Sequence, residues 1–186
     1  MNITELLYPS YALQRKAQYV NIYRIMGTDE LQVYMQAALS EAQKAFDMGE
    51  VPVGAVIVKD GRIVGRGCNS NETSKDPTCH AEIAAIREAC RVLGGWRLPG
   101  CSMFVTTEPC SMCAGAIVLA RIERLYIGTA DPKTGACGSL FNIVNDQRLN
   151  HQVAVEYGLL QEECSEMLKR FFRELRSRKN NKVSNS

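Results

Sequence analysis

The sequence predicts a layered α/β domain, and three of its features support this prediction. Apolar segments typical of strands alternate along the chain with segments of helical periodicity. The composition is 46% hydrophobic and 23% charged, which excludes disordered, collagen-like and coiled-coil proteins. With 186 residues, the chain can bury one hydrophobic core without help from disulfides or a metal ion.

The first predicted elements are a helix and a hairpin. Apolar residues recur at three- and four-residue steps over residues 31–46, which predicts an amphipathic helix that ends at Gly49. The apolar segments Val51–Val58 and Ile63–Cys68 flank Asp60-Gly61, a dipeptide that favours the type I′ turn of a β-hairpin. These two segments are therefore predicted to pair as antiparallel strands.

Helices and strands continue to alternate through the rest of the chain. Asn69–Thr78 is rich in Asn, Ser and Thr, which predicts a loop. The elements predicted after it are a helix at Ala81–Leu93, a strand at Ser102–Thr106, a helix at Cys110–Ala120, a strand at Leu125–Ile127, a loop at Ala130–Ser139, a strand at Val153–Tyr157 and a helix at Gln161–Arg178.

The net charge of +2 conceals a gradient along the chain. Residues 169–186 contain seven Lys and Arg residues and one Glu, for a charge of +6, so residues 1–168 carry −4. A basic C-terminus on an acidic body is typical of proteins that bind a polyanion such as nucleic acid. The competing interpretation is a solvated helix face that continues into a disordered basic tail at residues 179–186.

The N-terminal part of the chain has no signal for export or membrane insertion. No apolar run approaches the roughly 20 residues that span a bilayer, and Met1–Leu7 lacks the basic start of an export signal. We therefore expect a cytoplasmic protein without a membrane partner. Residues 1–25 have no clean hydrophobic period, so we expect a dispensable extension, either disordered or the product of an upstream start assignment. The folded domain is expected at residues 29–178.

Two of the eight cysteines are spaced as metal ligands. Without an export signal the thiols are expected to be reduced, so close pairs are interpreted first as a metal site. Cys110 and Cys113 lie one helical turn apart, where both sulfurs can face one ion, and His80 can supply a third ligand. Two thiolates and an imidazole suit Zn²⁺, and three protein ligands leave the fourth position to water, as in catalytic zinc sites.

Two other interpretations of these residues remain open. A structural zinc site would need a fourth protein ligand, for which Cys79, Cys137 and His151 are candidates. Taken alone, Cys110 and Cys113 also form a C-x-x-C pair of the kind that exchanges thiols and disulfides. The His-x-Glu sequence before a separate helix favours the catalytic zinc site over both.

Glu82 lies two residues after His80 on the same predicted helix, where it can reach the open metal position without binding the metal. A carboxylate there can act as a general base, because zinc lowers the pKa of bound water from about 15.7 towards about 7. Glu108 could either tune the site from beside Cys110 or cap the following helix, and we leave it outside the catalytic set. Cys79 is expected to point away from the ion, as a loop or core thiol.

Several motifs together resemble one enzyme family. His80-Ala81-Glu82 followed by Pro109-Cys110-Ser111-Met112-Cys113 is the signature of zinc nucleobase deaminases. The chain also contains Val51-Pro52-Val53-Gly54-Ala55-Val56, Asp76-Pro77-Thr78 and Lys133-Thr134-Gly135-Ala136-Cys137-Gly138-Ser139-Leu140. From about Asp29 to Arg176 it resembles the bacterial tRNA-specific adenosine deaminases. The resemblance implies a homodimer with a cytidine-deaminase-like fold, a three-layer α/β/α sandwich around a five-stranded mixed sheet.

The resemblance also implies a reaction, the conversion of the wobble adenosine of a tRNA anticodon to inosine. His80, Cys110 and Cys113 would bind one Zn²⁺ per subunit. Glu82 would take a proton from the zinc-bound water, pass it to the purine ring nitrogen, and then protonate the departing amine as ammonia. An arginine isoacceptor is the tRNA that the resemblance favours.

A second set of residues matches family positions associated with contact to the target nucleotide or the RNA: Asn69, Asp131, Lys133, Asn150, Phe172 and Arg173. For Asn69 the alternative is an Asx turn, and for Asp131 and Lys133 it is a turn role in a Pro/Gly loop. Successive helical residues are about 100° apart, so Phe171 and Phe172 cannot face one way. We expect Phe172 to be the ring that faces RNA.

Two other functions share parts of this pattern. A deaminase of free bases or nucleotides, such as cytosine, guanine or deoxycytidylate, would use the same zinc chemistry but would not need a basic C-terminal helix bearing Phe172. A non-catalytic, zinc-stabilised RNA-binding module would need a fourth ligand in place of Glu82.

Overall fold

The computed structural model describes residues 28–183, and the side chains of residues 29–178. The chain divides into two compact units, Met1–Val33 and Tyr34–Ser186. Of the first unit, the described part is the opening of one helix. The predictions about residues 1–25 therefore lie outside the described residues, as does the end of the basic tail.

The described part of the chain forms five helices and five strands. In chain order these are α1 (Thr28–Asp47), β1 (Gly54–Lys59), β2 (Arg62–Cys68), α2 (Asn71–Ser74), α3 (Ala81–Leu93), β3 (Ser102–Thr107), α4 (Ser111–Leu119), β4 (Arg124–Thr129), β5 (Ala154–Tyr157) and α5 (Gln161–Val183). The strands form one sheet in the order β2-β1-β3-β4-β5. Strand β1 is antiparallel to β2 and β3, whereas β3, β4 and β5 are mutually parallel. This arrangement confirms the five-stranded mixed sheet.

Helices cover both faces of the sheet, which gives the three expected layers. On one face, apolar residues of β1, β3 and β4 form a continuous core with helices α3 and α4. On the other face, the Tyr34 ring of α1 contacts Phe104, which stacks on Tyr126 with ring centroids 4.5 Å apart. Helix α5 lies beside α1, where the rings of Phe46 and Phe171 meet edge to face.

Strand β2 and helix α3 are in direct backbone contact. A Cβ atom at Gly67 would overlap the Ala81 carbonyl and the Ala85 amide, so the strand and the helix approach without a layer of side chains between them. This contact fixes the first turn of α3 against the end of β2. His80 immediately precedes that turn, and Glu82 lies in it.

The strand register brings three connecting segments to one edge of the sheet. Gly54 at the start of β1 pairs with Cys68 at the end of β2, and Thr107 at the end of β3 lies level with Thr129 at the end of β4. Because β1 runs antiparallel to β3, the start of β1 and the end of β3 share this edge. The segments that follow β2, β3 and β4 therefore converge, and they carry most of the predicted site residues.

Most predicted strand and helix ends in the second half of the domain are within one or two residues of those observed, and three other differences have a physical reason. Strand β1 begins at Gly54 because the Val53 amide turns back to the Val51 carbonyl, at 2.8 Å, before the strand starts. The predicted loop after β2 contains the short helix α2, whose four residues are too few for a periodic pattern. Helix α5 continues past Arg178 to Val183. Despite its length α5 is too polar to cross a membrane, and no other helix among residues 28–183 could do so.

Candidate active site

The converging loops enclose a cavity of about 560 Å³. Its lining comes from the segments that follow α1, β2, β3 and β4, together with part of α5. The lining residues are Glu50, Val51, Val53, Asn69, Asn71, Glu72, His80, Glu82, Thr107, Glu108, Cys110, Ala130, Asp131, Pro132, Lys133, Thr134, Leu168 and Phe172. The cavity thus brings together most of the residues predicted to form the site.

His80, Cys110 and Cys113 form a compact cluster beside this cavity. Their ligand atoms all lie within 4.8 Å of one another, and they are the one group of three or more His, Cys, Asp or Glu side chains among the described residues that could hold a metal ion. His80 immediately precedes α3, Cys110 immediately precedes α4, and Cys113 lies in the first turn of α4. Helix N-termini favour negative charge, so the start of α4 favours thiolate ligands.

The distances within the cluster fit a tetrahedral zinc ion. The His80 Nδ1 atom lies 3.7 Å from the Cys110 Sγ and 3.5 Å from the Cys113 Sγ. Zinc binds sulfur at about 2.3 Å and nitrogen at about 2.0 Å, so ligand atoms at the tetrahedral angle are about 3.5 Å apart. Hydrogen bonds from Cys113 and His80 lower the pKa of Cys110 to about 4, so this sulfur is a thiolate at neutral pH.

The three candidates for a fourth protein ligand lie outside this cluster. The buried His151 ring places its Nε2 atom 2.6 Å from the Ile122 carbonyl oxygen. The Cys137 thiol points to the Pro109 carbonyl, and Cys79 lies in the loop before α3. The described residues therefore supply three ligands, which favours the open coordination of a catalytic site over a structural one.

Glu82 is buried in the first turn of α3. Its Oε2 atom has no hydrogen-bond partner among the described residues, and burial raises the pKa of the carboxyl. A carboxyl with one oxygen available and a raised pKa is suited both to take and to return a proton. This is the behaviour expected of the predicted general base.

Asn69 connects the loop after β2 to helix α3. Its Oδ1 atom accepts a hydrogen bond from the Ala81 amide at 2.9 Å, which satisfies one of the free amides at the helix start. The side chain is buried and lines the cavity. With Oδ1 engaged, the side-chain nitrogen is the group that can donate to a bound molecule.

Glu108 does not cap α4, although its position in the sequence allows that role. Its carboxylate accepts hydrogen bonds from the amides of Asp131, Cys137 and Ser139, each at 3.0 Å, and from the Ser139 hydroxyl. Burial disfavours the charged form, but these hydrogen bonds outweigh it and lower the pKa of Glu108. Glu108 therefore binds both ends of the segment 131–139, which we call the cavity loop.

Asp131 and Lys133 lie in the cavity loop and line the cavity. The Asp131 carboxylate accepts hydrogen bonds from the amides of Lys133 and Thr134, at 2.8 and 3.3 Å, and from the Thr134 hydroxyl at 2.5 Å. Asp131 therefore stabilises a turn, which is the alternative to RNA contact. It also lines the cavity. Lys133 is exposed, so its ammonium group can reach an anionic ligand.

Phe171 and Phe172 divide between core and surface, as expected for adjacent helical residues. Phe171 is 9% exposed and packs against Phe46, whereas Phe172 is 40% exposed and lines the cavity. Phe172 is therefore the ring that is available to a ligand.

A second groove, of about 590 Å³, continues from the cavity along α5. The two share the lining residues Ala130, Lys133, Leu168 and Phe172. The groove is lined by four cationic side chains and, among the described residues, by no acidic one; the cations are Lys133, Lys169, Arg173 and Arg176. We call it the basic groove. Arg173 also makes an exposed ion pair with Glu166 at 3.4 Å, which leaves it accessible.

Asn150 is the one predicted contact residue that lines neither the cavity nor the basic groove. Its Oδ1 atom accepts a hydrogen bond from Arg121 Nη1 at 2.6 Å, in an exposed position. A role for Asn150 in RNA contact stays a prediction.

Sequence reasoning does not identify Glu50, a buried carboxylate in the cavity lining. Glu50 accepts hydrogen bonds from the amides of Glu72 and Thr73, at 3.1 and 2.6 Å, and so holds the short helix α2 in place. In the sequence, Glu50 is a single acidic residue between Gly49 and an apolar segment, and this pattern indicates only a turn.

These features define a deaminase domain: the three-layer α/β/α fold, the cluster of one histidine and two cysteines, and the adjacent buried glutamate. A sequence model of the MafB19-like deaminase family matches residues 29–176. The chain is also 51% identical over 154 residues to the tRNA-specific adenosine deaminase of Bacillus subtilis (strain 168), which covers 83% of this chain and 94% of that protein.

Two solved structures of deaminases are similar to the chain. A tRNA:A34 deaminase, studied for A-to-I editing at the wobble position of transfer RNA, is 48% identical with a TM-score of 0.70, covering 73% of this chain and 98% of its own. A guanine deaminase from Bacillus subtilis is 43% identical with a TM-score of 0.50, covering 53% of this chain and 63% of its own. The chain belongs to the family of tRNA-specific adenosine deaminases, as its motifs predict.

We expect the cluster to bind one zinc ion per chain. Cys113→Ala removes one of the three ligands, so zinc retained after dialysis against a chelator should fall to a small fraction of the wild-type content, as measured by elemental mass spectrometry. Cys137→Ala is the matched control, because Cys137 is equally buried but lies outside the cluster. Zinc loss in the control, with retention in Cys113→Ala, would contradict the ligand assignment.

Proposed function

We propose that this protein hydrolytically deaminates adenosine to inosine at the wobble position of a tRNA anticodon and releases ammonia. The observation that carries the proposal is the buried Glu82 carboxyl beside a three-ligand cluster, in a cavity that continues into the basic groove. Relatives of this chain that are named for adenosine, tRNA and position A34 support the choice of substrate.

Zinc is the cofactor that His80, Cys110 and Cys113 would hold, because the donor set and its spacing suit that ion. A bound Zn²⁺ supplies Lewis-acid activation of water, whose pKa it lowers towards about 7. Glu82 takes a proton from the attacking water and delivers it to the ring nitrogen as oxygen bonds to C6 of adenine. The same carboxyl then takes the remaining proton of the C6 hydroxyl and passes it to the exocyclic amine, which leaves as ammonia as the C6 carbonyl of inosine forms.

The side chains around the cavity support binding of a base that has left its stack. Unstacking costs a few kcal/mol, and it costs least in a single-stranded loop such as an anticodon. The Asn69 side-chain nitrogen can donate to the bound nucleotide, and the exposed Phe172 ring offers a stacking surface. The cations of the basic groove can then neutralise the flanking phosphates.

We further propose that the enzyme acts in the cytoplasm as a homodimer and that its substrate is an arginine isoacceptor. The resemblance of its motifs to the family supports these points. Light scattering of the purified protein tests the dimer, and editing of a panel of tRNA transcripts tests the isoacceptor.

The substrate is tested with anticodon stem-loops that carry A or C at the wobble position, beside free adenosine, cytidine and guanine. We expect inosine from the A-bearing RNA alone, because the groove cations and Phe172 bind flanking nucleotides that the free compounds lack. Nucleoside analysis by mass spectrometry measures the products. Deamination of guanine or cytidine without editing of the RNA would favour a small-substrate deaminase instead.

Glu82→Ala should abolish inosine formation while zinc content and cooperative unfolding stay near wild type. A general base contributes roughly 10²–10⁴-fold to a rate, and Glu82 is assigned to two successive proton transfers, so we expect a loss of at least about 10³-fold in kcat. Glu72→Gln is the control, since Glu72 lines the same cavity but is exposed. Substantial activity in Glu82→Ala would remove its assigned role.

The basic groove predicts a specific salt dependence of RNA binding. Replacing Lys169, Arg173 and Arg176 with Gln removes three phosphate-binding charges, so the slope of log Kd against log salt concentration should fall by about 2, at about 0.7 per phosphate on single strands. Fluorescence anisotropy of a labelled stem-loop at several salt concentrations measures the slope.

The matched control for this variant has the same change in net charge elsewhere on the surface. It replaces three exposed arginines that line neither the cavity nor the basic groove: Arg62, Arg87 and Arg91. Equal slopes for the two triple variants would show that the groove is not the phosphate site.

A further inference from the structure

We propose that Glu108 is a positioning residue that holds the cavity loop in the conformation that binds RNA, and that it sets RNA affinity through the loop rather than by acting on the base. The inference rests on the proposed function and names the group that organises the RNA side of the site.

One carboxylate joins both ends of the cavity loop. Glu108 Oε2 accepts from the Asp131 amide, at the start of the loop, and from the Ser139 hydroxyl at its end. Glu108 Oε1 accepts from the amides of Cys137 and Ser139 at 3.0 Å. These donors lie 23 to 31 residues away in sequence, so the bonds are tertiary contacts and the loop depends on them for its shape.

The packing around Glu108 leaves it little freedom to do anything else. A Cβ atom at Gly135 would overlap both the Glu108 carboxyl and the Asp131 carbonyl, so the loop backbone wraps directly around the carboxylate. Glu108 is 3% exposed, and both of its oxygens are engaged. This is the opposite of Glu82, whose Oε2 has no partner among the described residues and which is assigned the proton transfers.

Hydrogen bonds within the cavity loop link Glu108 to residues that line the cavity. Glu108 fixes the Asp131 amide, and the Asp131 carboxylate in turn fixes the Lys133 and Thr134 amides. Lys133 lines both the cavity and the basic groove. A chain of hydrogen bonds therefore runs from Glu108 to the backbone of Lys133, whose side chain lies where the cavity meets the basic groove.

The same residue also ties the loop to the metal cluster through the main chain. Glu108 precedes Pro109 and the predicted ligand Cys110, and the Cys110 backbone forms an isolated bridge with Gly135 of the loop. The RNA-facing loop is thereby held at a fixed distance from the ligands. A loop held in this place can bind a nucleotide beside the cluster without first paying the entropy of ordering its own backbone.

The test is Glu108→Gln, which has nearly the same size but replaces one acceptor oxygen with a donor that faces backbone amides. We expect KM for the A-bearing stem-loop to rise about tenfold, kcat at saturating RNA to stay within about threefold, and zinc content to stay unchanged. Hydrogen exchange at the Asp131, Cys137 and Ser139 amides should accelerate. Ser139→Ala removes one hydroxyl donor alone and should raise KM by about threefold.

Two comparisons separate positioning from general stability. Glu41→Gln alters another buried carboxylate, paired with Lys44 and Arg66 and away from the cavity, so it should lower stability and leave KM unchanged. Lys133→Ala should weaken RNA binding more when it is made in the wild-type protein than when it is made in the Glu108→Gln variant. In that variant the loop that carries Lys133 is already displaced, so Lys133 contributes less to binding. Additive effects of the two substitutions would overturn the proposal.

The outcomes also distinguish this inference from the function on which it rests. If the wild-type protein does not edit the stem-loop, the proposed function fails. If the wild type edits it and Glu108→Gln leaves KM unchanged, the positioning role fails alone. Should Glu108→Gln not fold, Ser139→Ala decides, and an unchanged KM in that variant overturns the inference.

Discussion

The direct backbone contact between β2 and α3 is the constraint on which the site depends. Gly67 leaves no room for a side chain between strand and helix, so the helix start, with His80 and Glu82, has one position relative to the sheet. Cys110 and Cys113 follow β3, and the pairing of β1 with both β2 and β3 brings the two helix starts together. A metal site tolerates ligand displacements of about 0.2 Å, so ligands from separate segments need a rigid frame of this kind.

Three buried carboxylates around the cavity show how environment divides roles among identical groups. Glu50 accepts hydrogen bonds from two backbone amides, and Glu108 accepts hydrogen bonds from three amides and a hydroxyl. Each of these carboxylates orders the segment that supplies its donors. Glu82 is equally buried, yet one of its oxygens has no partner among the described residues. A buried carboxyl left in this state is costly to the fold, and such a cost is expected at a reactive group rather than at a structural one.

The sequence predicts those features that neighbouring residues determine, and it misses those that depend on contacts between residues far apart in the chain. The metal cluster depends on helix starts and one-turn spacing, which are local, so Cys110 and Cys113 are recognisable from their pattern. The hydrogen bonds of Glu108 join groups 23 to 31 residues apart, and nothing beside Glu108 in sequence indicates them. Helix α2 escapes prediction for the same reason, because its amides are held by Glu50 from 22 and 23 residues away.

The proposed base chemistry and RNA binding make opposite demands on charge, and acidic and basic side chains lie in separate parts of the site. The cavity is lined by carboxylates that repel phosphate, among them Glu50, Glu72 and Asp131, whereas the adjoining groove is lined by cations. Screening limits such fields to about 8 Å at physiological ionic strength, so the two regions can act on neighbouring parts of one nucleotide chain. In the proposed function, a neutral base enters the cavity while the phosphates on either side lie in the groove. The same division is visible in the sequence, where residues 1–168 carry a charge of −4 and residues 169–186 carry +6.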